Sequence, residues 1–99
     1  MILVIGTIRA PVGSLEALRE PMAAVVAASR AEDGCIEYAY GADMLDPGLI
    51  RVTEAWRDRD CLDRHFKAPH MDAWRAARAA LGVGERRLSL YESSDPEPI

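Results

Sequence analysis

The stretch CIEYAYGADMLDPGLIRVTEAW, residues 35–56, decides the fold. From Cys35 to Asp43 it alternates. Ile36, Tyr38, Tyr40 and Ala42 fall on one side, and Cys35, Glu37, Ala39 and Gly41 on the other. That two-residue period is a strand. Asp46-Pro47-Gly48 is turn chemistry, since proline presets φ and glycine accepts positive φ. A second strand runs from Leu49 to about Arg57, with Ile50, Val52, Glu54 and Trp56 opposed to Leu49, Arg51, Thr53 and Ala55. Two strands joined by so short a link form an antiparallel hairpin.

Upstream, Ile2-Leu3-Val4-Ile5-Gly6-Thr7-Ile8 is continuous and apolar, which predicts a strand buried on both faces. Leu15 to about Ala31 has helical spacing, with Leu15, Leu18, Met22, Val25, Val26 and Ser29 on one side. Ser14 suits its N-cap, and Pro21 predicts a kink or a break. Downstream, Asp58 or Asp60 can cap a short helix carrying Leu62, His65 and Phe66. Pro69 opens a second segment bearing Met71, Trp74, Ala77, Ala80 and Leu81, ended by Gly82 and Gly84. Arg87 to Glu92 is a final strand, and residues 93–99 read as a flexible tail.

The order β-α-β-β-α-β over residues 1–92 is a single α+β domain of ferredoxin-like fold, with helices on one face of a four-stranded antiparallel sheet. The first and third strands carry apolar groups on both sides, so the bare sheet face needs a cover. A homodimer joined through that face, a dimeric α/β barrel, supplies it.

The net charge of -4, with acids interspersed among the arginines, excludes a nucleic-acid surface. No apolar run is long enough to span a bilayer, and no secretory leader is visible, so the expected location is cytoplasmic. Cys35 and Cys61 form no CxxC pair and are expected as free thiols. The glycines form no phosphate loop, because Gly82-Val83-Gly84 follows a helix instead of opening one.

Several pieces then stand in a telling order: Glu32-Asp33-Gly34-Cys35 before the hairpin, Glu54-x-Trp56 within it, Leu62-x-x-His65 after it, and Ala68-Pro69-His70-Met71 next. Over Ile2 to Glu92 the chain resembles the antibiotic biosynthesis monooxygenase family, in its quinol monooxygenase branch. Ala68 and Met71 stand where that family usually has serine and phenylalanine. The resemblance implies an apolar pocket between sheet and helices. It also implies oxygenation of a small aromatic, hydroquinone or polyketide-like phenol by dioxygen, with no metal, flavin or haem. The haem-degrading branch uses an asparagine, and this chain has none. The alternative is a non-oxidative binding or isomerising protein using the same pocket.

Oxygenation without a cofactor needs a base of near-neutral pKa, and histidine is the side chain that offers one. His65, flanked by Leu62 and Phe66, is the candidate catalytic base. Its competing role is a core histidine bonded to Glu54 or backbone. Trp56, Tyr38, Tyr40, Phe66, Trp74, His70 and Glu54 are the candidate substrate-binding residues. Each has a plainer reading: core packing for the aromatics, helix entry for His70, an ion pair with an arginine for Glu54. Cys61 and His65 share a helix face, but no third ligand has convincing spacing, so no metal site is expected.

Overall fold

The computed structural model describes all 99 residues. The chain forms β1 (Ile2–Arg9), α1 (Leu15–Arg30), β2 (Cys35–Ala42), β3 (Leu49–Trp56), α2 (Arg59–Phe66), α3 (Pro69–Ala80) and β4 (Gly84–Glu92). The strands make one open antiparallel sheet in the order β2-β3-β1-β4. Pairs such as Val4 with Glu54 and Val4 with Leu90 fix the registers. One face is covered by helices, and the core lies between. Ile8, Ile50, Val52, Leu18, Val25, Met71 and Trp74 pack in one cluster, and Ile2, Val4, Tyr38, Trp56, Cys61 and Leu62 in another.

Four local expectations are corrected. β1 is not buried on both faces within one chain: Ile2, Val4 and Ile8 are buried, while Ile5 on the outer face is 46% exposed. Ile36 does not share the side of Tyr38. The β2–β3 register shifts between Cys35 and Glu37, which leaves Ile36 as the extra, outward residue. Pro21 does not break α1, which is continuous from Leu15 to Arg30. Buried Leu18 before it and Val25 and Ser29 after it anchor both halves of the helix. Ser14 occupies the N-cap position, but its hydroxyl donates to the Pro11 carbonyl (2.6 Å) and caps nothing.

Other elements form as expected. Asp58 caps α2 by accepting from the Cys61 N–H (2.9 Å). Pro69 sits at the start of α3, where a missing N–H costs nothing. β4 starts at Gly84, three residues earlier than expected. Both cysteines are free thiols. No helix is long and apolar enough to cross a membrane.

Candidate functional site

A cleft of ≈ 330 Å3 opens between the inner face of the sheet and α2–α3, at the lower end of the range for small-molecule pockets. The sheet contributes Val4, Tyr38, Tyr40, Glu54, Leu88 and Leu90; the helices contribute His65, Phe66, Met71 and Trp74. Alternation explains this, because residues two apart on a strand face the same side. Spacing of three and four does the same for Met71 and Trp74 on α3.

His65 is 1% exposed and boxed by aromatic rings, with Trp56 at 4.7 Å, Tyr38 at 5.2 Å and Phe66 at 5.9 Å between centroids. Its Nδ1 lies 2.6 Å from Oε2 of Glu32. The partner is therefore not Glu54, as the sequence suggested. β3 places Glu54 across the cleft, whereas the loop after α1 delivers Glu32 to the imidazole. With Glu32 ionised, Nδ1–H donates to it, and Nε2 is left as the basic nitrogen. Burial pushes the His65 pKa below its usual value, with the Glu32 carboxylate pulling the other way. His65 is thus held neutral at neutral pH.

Glu54 is not ion-paired with an arginine either. Its Oε1 accepts the Trp56 indole N–H at 3.0 Å, and burial raises its pKa. The Tyr38 and Tyr40 hydroxyls are 2.9 Å apart, and burial raises the pKa of both, so both stay protonated. One hydroxyl donates to the other, and the second keeps a proton to offer.

Two expected substrate contacts do not line the cleft. Trp56 is fully buried behind His65. His70 lies on the far side of Glu32, with Nε2 3.3 Å from Oε1 but without hydrogen-bond geometry. Glu32, His65 and His70 bring three ligand atoms within 4.8 Å of one another. This is where the chain could offer three donors to a cation. The 2.6 Å contact between Glu32 and His65 is that of a charge-assisted hydrogen bond.

Glu32 was missed as a site residue, although it stood in the quoted motif. One signal was available: an acid just beyond a helix C-terminus opposes the helix dipole, so it calls for a compensating partner.

The antibiotic biosynthesis monooxygenase family model matches residues 1–77. The chain belongs to this family. A provisionally assigned monooxygenase of Mycobacterium tuberculosis is 38% identical over 60 residues, 61% of this chain and 58% of that protein. The chain spans about half the length of the curated relatives it matches. Among solved structures, a provisionally assigned antibiotic biosynthesis monooxygenase of Deinococcus radiodurans superposes with a TM-score of 0.90 at 27% identity, covering 100% of this chain and 98% of that one. A Pseudomonas aeruginosa protein superposes at 0.83 with 33% identity, covering 95% and 94%. The ferredoxin-like architecture expected from the element order is thus that of the family.

Proposed function

We propose that this family member is a monooxygenase of a small phenol or hydroquinone, in which the substrate itself is the reductant. The observation that carries the reading is the buried His65, neutral and oriented by Glu32, in the wall of an aromatic cleft. His65 Nε2 takes the hydroxyl proton, and the free Tyr38 or Tyr40 hydroxyl donates to the resulting phenolate oxygen. The phenolate gives electrons to dioxygen. One oxygen atom becomes a new ring carbonyl. The other leaves as water with the two hydrogens the substrate loses, one from its hydroxyl and one from the ring carbon.

The test is oxygen uptake by chelator-treated protein over a panel of hydroquinones and phenols, wild type against His65→Gln. Gln can hold a hydrogen bond but cannot act as a base. Uptake should fall about 10²–10⁴-fold, the typical worth of a positioned base. Uptake absent with every substrate, or unchanged in His65→Gln, refutes the reading. Absent uptake with retained binding would assign the cleft to a binder or isomerase.

The working unit we propose is a homodimer joined through the outer sheet face. The registers place Leu3, Ile5, Ala39, Ala55 and Tyr91 together there, and Ile5 and Tyr91 are 46% and 52% exposed. Contiguous apolar surface of this kind marks interfaces.

A further inference from the structure

The cleft also carries charges that proton abstraction and oxygen transfer do not use. Arg75, Arg78 and Arg86 all line it. Arg75 is engaged: Nη1 lies 3.1 Å from Asp72, and Nη2 donates to the Phe66 carbonyl at 2.7 Å. Arg78 and Arg86 have no such partner; neither forms an ion pair or hydrogen bond within the chain. The Arg78 guanidinium lies over the Trp74 ring, 5.6 Å from its centroid, and is half-buried. Arg86 reaches the same wall from β4, whose residues Arg86, Leu88 and Leu90 share the inner face. Burial and the like charges of Arg86 and Arg75 weaken the hold of Arg78 on its proton. The one carboxylate nearby, Glu54, feels the charge of Arg86 but forms no ion pair with it and accepts from the Trp56 N–H instead.

A second observation points the same way. Against three cationic side chains the lining offers a single carboxylate, Glu54. That carboxylate is occupied by the Trp56 N–H. The tyrosine hydroxyls are donors as well.

We propose that the cleft selects an aromatic bearing a carboxylate, held by Arg78 and Arg86 with the phenol directed towards His65. A planar guanidinium fork matches a carboxylate in two parallel hydrogen bonds, and half-buried sites strengthen such pairs. The inference rests on the phenol site described above and deepens it by naming the substrate class.

The experiment is calorimetric titration with three probes that share a ring and do not autoxidise readily: 1-hydroxy-2-naphthoate, its methyl ester and 1-naphthol. The acid should bind about tenfold or more tighter than the ester, and high salt should narrow the gap. Arg86→Gln and Arg78→Gln should each weaken the acid about tenfold and leave the ester and 1-naphthol within about twofold. Arg86 has no hydrogen bond or ion pair to lose, so the melt of Arg86→Gln should not move, whereas Arg78→Gln gives up the contact with Trp74. Should Arg78→Gln unfold through its contact with Trp74, the exposed Arg86→Gln still decides. Equal binding of acid and ester, or an equal loss for all three probes, overturns the proposal. So does no binding of any probe. Oxygen uptake with uncharged hydroquinones alongside no preference for the acid would sink this inference alone. Preference for the acid without any oxygen uptake would sink the oxygenase reading alone.

Discussion

Replacing Glu32 by glutamine removes one charge and almost no volume. In the structure its two oxygens face two imidazoles, at 2.6 Å from His65 Nδ1 and 3.3 Å from His70 Nε2. Gln can still accept from Nδ1–H, so the stability cost should stay near the difference between a charged and a neutral hydrogen bond, about 1 kcal/mol. The effect on turnover should be larger, for two reasons. Glu32 is the influence that holds the His65 pKa up against burial, so losing it makes Nε2 a weaker base. An amide can also present its NH2 to the ring and favour the tautomer with the proton on Nε2, which cannot act as a base. Together these should take away a large part of the base's contribution, a fall of about 10²-fold in oxygen uptake. The pH profile adds a signature that a structural role would not produce. The acid limb of the rate follows protonation of His65, so it should move to lower pH in Glu32→Gln. The assay is oxygen uptake against pH for wild type and variant, with thermal melts in parallel. A rate within twofold of wild type alongside a lowered melt would refute the positioning role and leave Glu32 as a packing and ion-pair residue.

Three further outcomes are expected. Because burial depresses the His65 pKa in the folded state, its contribution to stability is fully present above the usual 6.5 and is lost as pH falls through the lowered folded value; the melting temperature of wild type should drop relative to that of His65→Gln on acidification, a difference in which the opposing contribution of Glu54, whose pKa is raised, cancels. A melt difference that is flat across that range would contradict this. Gly6→Ala should cost about 1–3 kcal/mol, read as a lowered melting temperature, because a Cβ at Gly6 would strike the Arg87 carbonyl on the neighbouring strand β4; an unchanged melt would show that β4 shifts freely. Sedimentation equilibrium should give twice the 10.9 kDa chain mass at micromolar concentration, and Ile5→Lys on the outer face should yield monomer; a wild-type monomer would refute the dimer.

The sequence by itself determined the order of elements, the hairpin and the class of fold. Those signals are local. The alternation in residues 35–56, the turn at Asp46-Pro47-Gly48 and the apolar stripe through Met71 and Trp74 each depend on neighbours within one element. It also marked His65, because an imidazole between Leu62 and Phe66 on a short amphipathic helix must turn inward. The tertiary structure alone decided what His65 meets. Glu32 and Glu54 are both acids near it, and nothing in their spacing ranks them. Glu32 is 33 residues away along the chain, and it wins because α1 packs over the sheet and its end delivers the carboxylate to Nδ1. Trp56 shows the same limit: strand alternation put it on the inner face, but the docking of α2 places His65 between it and the cleft. The meeting of Arg78 and Arg86 was likewise hidden, since one sits on a helix and the other on an edge strand. Periodicity tells which way a side chain points from its own element; which partner stands there depends on registers and packing angles that no single element contains.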